Sequence, residues 1–306
     1  AFARTIRAYQ LLLVLNYMDT EGLRLNFDGD ITKPLASKEE AFDFIEADLN
    51  AGFAALQNAG SSFTFKLSDG FAGFDTPEGF GKFNRALAAR VAVFRMKFSE
   101  ALSLLQQSFL DPNGDLQMGV YHVYSSALGD QLNPVFEVPT APGLKLHAHP
   151  SFEADAEPGD LRFSRKTFKR PTVDVNDDLS SDLAIILHFG PGDPSSSSPY
   201  PIIRNEELIL LRAEANIGLG NLEDARADIN IIRRAAGVPE ITQPFPSQDA
   251  ALDQLLHEKR YSLFMEGHRW VDMRRYNKFD ELPIDRPERG DRIIPHMEIP
   301  EDEIPD

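Results

Sequence analysis

The residues best able to do chemistry in this chain are a histidine pair, several acidic loops and a set of aromatic rings. His147 and His149 are spaced to share one face of a strand, where they could bind a metal ion. No third ligand lies nearby in sequence, and such pairs are more often ordinary loop residues. Asp111-x-Asn113-x-Asp115 and Asp174-x-Asn176-x-Asp178 each begin like a calcium loop. Neither continues with glycine at the sixth position and glutamate at the twelfth, so neither is an EF-hand. No cofactor is expected, with an irregular calcium site left open. Gly79-Phe80-Gly81 is too short for a dinucleotide fingerprint, and the chain has no G-x-S-x-G, Walker loop or H-E-x-x-H. Paired carboxylates for glycoside hydrolysis are a spatial feature, and in so acidic a chain their abundance says little. Tyr121, Tyr124, Phe189 and Tyr200 are the candidate exposed rings for stacking on a ligand; the alternative for each is ordinary core. Trp270, the single tryptophan, sits inside E-G-H-R-W and is expected to pack between helices.

Composition narrows the function class. The 306 residues suffice to bury a large core, and 42% are hydrophobic. The 31 basic against 48 acidic residues give a net charge of −17. Nucleic-acid binding is therefore not expected, because counterion release needs clustered Lys and Arg. There is no cysteine, hence no disulfide, thiolate metal site or thiol nucleophile. No run of about eighteen apolar residues exists to span a bilayer. The opening AFARTIRAYQ reads as the middle of a helix, which suggests a region upstream of this numbering.

The elements that must position these groups are mainly helices. Residues 1 to about 17 form the first, with Ile6, Leu12, Leu13 and Tyr17 on one face. Ser37-Lys38-Glu39-Glu40 is a capping box, followed by a stripe of Phe42, Ile45, Leu49, Phe53 and Leu56. Residues 59–81 read as a connection, and Lys82 or Asn84 opens a long helix that breaks near Lys97. Arg95–Leu105 makes a helix-pair turn with Ala101 in the place that Ala225 takes later. From 111 to 200 Gly and Pro punctuate the chain; Tyr121–Tyr124 and Leu161–Phe168 read as strands, and Ser195–Ser198 as a flexible loop.

Helical grammar returns at Pro201. Asn205 is placed to cap a helix through Leu208, Leu211, Ala215 and Leu219, stopped by Gly218 and Gly220. Asn221 caps the next, with Leu222, Ala225, Ile229 and Ile232 inward, and Gly237 and Pro239 end it. The turn G-N-L-x-x-A is of the kind that tetratricopeptide helix pairs use. Leu252–Tyr276 then reads as one helix capped by Ser247, with Leu252, Leu255, Leu256, Leu263 and Phe264 inward. Its dense charges of both signs could be a solvated face or ion pairs between helices.

The run E-K-R-Y-S-L-F-M-E-G-H-R-W-V-D-M-R-R, Glu258 to Arg275, resembles the C-terminal motif of the SusD/RagB family. The matching residues are Glu258, Arg260, Glu266, Gly267, Arg269, Trp270, Asp272 and Arg275. P-I-I-R-N-E-E-L-I-L-L-R-A-E-A from Pro201 is similar to the helix that precedes the motif, R-A-Y-Q-L-L-L to an early family helix, and R-I-I-P-H-M-E-I-P-E-D-E-I-P-D to its closing segment. Ser262 departs from the pattern, where the family usually has glutamate. The resemblance implies a single, mainly all-α SusD-like domain of tetratricopeptide-like helical hairpins. Its parts would be helical pairs over 1–110, an irregular ligand-facing segment over 111–200, and helical pairs with a tail over 201–306.

The resemblance further implies a nutrient-binding lipoprotein, not an enzyme, on the outer-membrane surface of Bacteroidetes-type bacteria. Such a protein captures oligosaccharides or peptides and serves a SusC-like TonB-dependent transporter, held to the membrane only through an upstream lipid anchor. Two other classes stay open: a tetratricopeptide-like protein–protein scaffold, and a glycoside hydrolase with a carboxylate pair.

Overall fold

The computed structural model describes residues 1–299 apart from 31, 177, 188 and 190–192. Residues 300–306, which carry the acidic end of the closing segment, lie outside the described residues. The chain is mostly helical and divides into two compact units. Residues 1–65, 73–109 and 273–306 form the first, and 66–72 with 110–272 the second.

In the first unit, α1 (Phe2–Met18), α2 (Lys38–Gln57), α3 (Pro77–Phe94) and α4 (Phe98–Leu105) pack in sequence order, each on the next. The capping box at Ser37 is present, with Glu40 reaching back to the Ser37 N–H at 2.8 Å. Phe42, Ile45, Leu49 and Leu56 are buried as expected. The stripe of α1 is rotated from the expected one: Thr5, Ala8, Leu12 and Leu15 face inward, and Tyr17 is exposed. The opening of α3 also differs. It starts at Pro77, with the Thr76 hydroxyl accepting from the Gly79 N–H at 3.1 Å and proline at N1. Gly79, Phe80 and Gly81 are therefore helical, and Asn84 is an interior residue. Asn84 is fully buried and donates to the Thr5 hydroxyl at 2.7 Å and the Leu49 carbonyl at 3.1 Å, so one side chain fastens three helices. The helix does break near Lys97, at Met96 with φ 57°.

The second unit contains β1 (Gly119–His122), α5 (Ser151–Ala154), α6 (Leu161–Lys166), β2 (Thr167–Asn176), β3 (Leu179–Ile185) and β4 (Tyr200–Arg204). These are followed by α7 (Asn205–Gly218), α8 (Leu222–Ala236), α9 (Gln248–Ser262) and the start of α10 (Arg269–Arg275). β1 pairs antiparallel with β4, and β2 with β3. Leu161–Lys166 is a helical turn where a strand was expected; Asp160 caps it by accepting from the Arg162 N–H at 2.8 Å. The Ser195–Ser198 turn is pinned, since Asn133 donates to the Ser198 carbonyl at 2.9 Å.

The α7–α8 hairpin forms as its two stripes require. Ile209, Leu210, Ala213 and Ile217 meet Ala225, Ile229 and Ile232, and α9 closes this core with Ala251 and Leu255. Gly237 adopts φ 77° and ends α8 in a Schellman motif, with Val238 N–H on the Arg233 carbonyl at 3.1 Å. Asn205 is not the cap of α7. Its side chain instead accepts from the Asp111 N–H at 2.9 Å and donates to the carbonyls of Asp111 and Asp115. Leu219 is exposed at the helix end. Leu252–Tyr276 is not one helix: α9 stops at Ser262, and a turn with positive φ at Met265 and Gly267 precedes α10. Among the described residues, no helix is long and apolar enough to cross a membrane.

Candidate functional site

The charges of Glu258–Asp272 form a buried ion-pair network in the second unit. Glu258 is fully buried in the C-terminal half of α9 and accepts from Arg162 of α6 at 2.5 Å and Arg233 of α8 at 2.6 Å. Arg162 is also held by Asp160 at 2.7 Å, and Arg233 by Glu157 at 2.6 Å. The next residue, Lys259, lies between Glu214 at 2.9 Å and Asp272 at 2.7 Å, with all three side chains at most 2% exposed. Glu266, in the turn after α9, meets Arg204 at 2.7 Å and Lys166 at 3.7 Å. Arg204, 1% exposed, also pairs with Glu206 and donates to the Ser262 carbonyl at 2.6 Å. Ser262 joins the network in its own way: its hydroxyl accepts from Arg162 at 3.2 Å.

The electrostatics follow from burial and pairing. Burial opposes ionisation of Glu206, but Arg204 and Lys166 outweigh it and hold the carboxyl below its usual range. Burial likewise works against the Arg204 cation, and Glu206 with Glu266 more than offset it. Hydrogen bonds to Glu157 raise the Arg233 guanidinium above its ordinary value. Lys166 is the exception. Burial dominates there and lowers its ammonium to about 8, although Glu266 opposes the shift.

The remaining signature residues sit around this network. Arg260 pairs with Asp155 at 2.7 Å, and Arg269 donates to the Leu256 carbonyl at 3.4 Å. Gly267 takes φ 82° in the turn, and Trp270 is half-buried in α10. Arg275, in the first unit, donates to the Val93 carbonyl at 3.2 Å with its guanidinium over Phe94 at 4.8 Å.

The structure separates the aromatic candidates. Phe189 is a core ring at 3% exposure, which corrects its place among exposed rings. It lies under the buried cations, 5.6 Å from the Arg204 guanidinium and 5.8 Å from the Lys166 ammonium. Tyr200 packs edge-on against it at 5.9 Å and donates its hydroxyl to the Met265 carbonyl. Tyr121 belongs to the same cluster; its hydroxyl donates to the Gln117 carbonyl, and burial pushes its pKa to about 12. Tyr124, just beyond β1, is half-buried and lies outside that cluster.

The two histidines do not converge. His147 is 3.0 Å from Asp174, and the His149 ring nitrogen takes the Ser151 N–H at 3.0 Å. Asp111 and Asp115 each accept a backbone N–H two residues on, as turn residues do. Among the described residues, no group of three or more His, Cys, Asp or Glu is placed to hold a metal ion.

Sequence reasoning missed an open cavity of about 610 Å³ in the first unit, between the end of α2 and the start of α3. Its floor is Phe53, and its walls include Gln57, Ser61, Glu78, Lys82 and Gln107. The period of α2 had assigned Phe53 wholly to the core. The one local hint was Gly81, which leaves the ring uncovered.

Residues 191–291 match the SusD family. No curated protein matches the chain significantly. Among solved structures, a SusD superfamily protein from Bacteroides thetaiotaomicron superposes with TM-score 0.63 at 17% identity, covering 90% of this chain and 66% of that one. Surface glycan-binding protein A from Bacteroides uniformis gives 0.61 at 16% identity, over 92% of this chain and 67% of that one. A SusD-like carbohydrate binding protein from Bacteroides vulgatus gives 0.60 at 16% identity, over 90% and 62%. The chain thus spans about two thirds of the length of these structures. Residues 191–291 thus carry the signature of the SusD family, and the chain shares the fold of SusD superfamily proteins.

Proposed function

We propose that this chain is a cell-surface nutrient-binding protein that captures oligosaccharides, or peptides, and passes them to a SusC-like TonB-dependent transporter. In this reading a lipid anchor upstream holds it at the outer membrane, and it binds cargo without turnover. The SusD signature within the shared fold carries the reading. The names of two similar structures, a surface glycan-binding protein and a carbohydrate binding protein, support a glycan as cargo. The burial of Glu258, Glu266 and Asp272 against cations supports binding over hydrolysis, because a glycosidase needs carboxylates that reach the substrate.

The irregular segment 111–200 is the recognition surface in this proposal, with Tyr124 as its aromatic contact and exposed Leu128, Leu132 and Val138 nearby in sequence. A glycan array with a peptide library alongside tests the function; silence on both would sink it. Tyr124→Ala should lower affinity for the best array hit several-fold and leave the Tm unchanged. Tyr200→Ala should instead lower the Tm, because its ring packs on Phe189 and its hydroxyl is bonded internally. Equal Tm losses for the two variants would place Tyr124 in the core as well.

A further inference from the structure

We infer that the cavity between α2 and α3 is a second carbohydrate site, one that takes a neutral oligosaccharide through the ring of Phe53. The inference rests on the glycan-binding reading above but uses a different part of the molecule. Its volume of about 610 Å³ lies within the range of roughly 300–1,000 Å³ typical of small-molecule sites.

The floor is preorganised. The Arg85 guanidinium lies over the Phe53 ring, 4.2 Å from its centroid. Arg85 is itself fixed by Asn84 at 2.6 Å, Asn50 at 2.9 Å and the Leu49 carbonyl at 2.9 Å. The ring is thus supported from behind while it still lines the cavity. Gly81 keeps its near edge open: a Cβ there would touch the ring at 3.5 Å, in ordinary contact. A Cβ at 81 is therefore in ordinary contact, and glycine is not required there by φ.

The walls have the polarity of a sugar site. Gln57, Ser61 and Gln107 are exposed and present amide and hydroxyl groups of the kind that bond sugar hydroxyls. Glu78 and Lys82 face each other at 3.3 Å, one helical turn apart, so the cavity wall carries no net charge from them. A protein of net charge −17 also repels anionic chains. An aromatic floor, neutral donors and acceptors, and no cationic excess together select a neutral glycan over a uronate, a sulfated sugar or a phosphate.

The test is calorimetric titration of the whole chain with maltohexaose, cellohexaose, xylohexaose and mannohexaose, beside the variants Phe53→Ala, Gly81→Leu and Tyr124→Ala. Gly81→Leu fills the floor while favouring the helix, so its Tm should hold or rise as its affinity falls. Phe53→Ala should weaken at least one of these sugars by about tenfold, the scale of one lost stacking contact. Sugar binding unchanged in both cavity variants but lost in Tyr124→Ala overturns the second site and leaves the proposed function standing. Failure of all four sugars to bind the wild type overturns the site, and a positive peptide screen would then keep the wider reading alive.

Discussion

Lys259→Met should destabilise the second unit by about 3–5 kcal/mol, the largest single effect expected in this chain. Methionine keeps the length and apolar stem of lysine, so little packing is lost. What disappears is the cation between Glu214 and Asp272, which lie 2.9 and 2.7 Å from the ammonium. Both carboxylates are at most 1% exposed and would face each other without it. Asp272→Ala should cost less, because Glu214 still holds Lys259. The triple change Lys259→Met, Glu214→Gln, Asp272→Asn should recover much of the loss, because it removes the charges that lost their partner. Glu240→Ala, at the exposed Arg234 pair, is the control and should leave the melt unmoved. Urea and thermal unfolding of the four variants check this. A Lys259→Met melt within a degree or two of wild type would mean that these charges do not hold the helices together.

Gly119→Ala should be the second large effect, at about 1–3 kcal/mol or more. Gly119 pairs with Arg204 across β1 and β4. A Cβ at 119 would lie inside contact distance of the Ile203 carbonyl oxygen and 2.7 Å from the Arg204 Cα. Both are backbone, so no side-chain rotation relieves the clash. The strands must separate, and β4 carries Arg204, which serves Glu206, Glu266 and the Ser262 carbonyl at once. Hydrogen exchange should therefore quicken at the Asn205 amide, which donates to the Met118 carbonyl at 2.8 Å. Unchanged protection there would show that β1 and β4 part without disturbing the network.

Local signals explain which parts were legible in the sequence. Ser37 and Ser247 each accept from the backbone N–H three residues on, and Gly237 ends α8, all as their residue types demand. The α7–α8 hairpin followed from matched stripes. The Thr76-Pro77 start of α3 was a local signal as well, but Gly79 and Gly81 made the stretch read as a connection. Leu161–Lys166 is too short for its period to separate a helix from a strand.

Partners distant in sequence were beyond such signals. Glu258 and Arg162 are 96 positions apart, and nothing near Arg162 marks it as that partner. The density of charge around Glu258–Arg275 suggested pairing, yet a solvated face would have the same composition. Phe189 was misplaced among the exposed rings for a related reason. Phe189 is surrounded by Gly and Pro, which suggested a surface loop, but it packs under Arg204 and Lys166, which cluster there through tertiary contacts.

The most direct test of the proposed function is a titration of the whole chain with the oligosaccharide that scores best on the array, followed by chromatographic recovery of that sugar. The expected result is a saturable Kd on the order of 10⁻⁶–10⁻³ M, as suits an open site that releases its cargo, with the sugar recovered intact. Shortened sugar fragments that accumulate in proportion to time and protein would contradict it and make the chain a hydrolase.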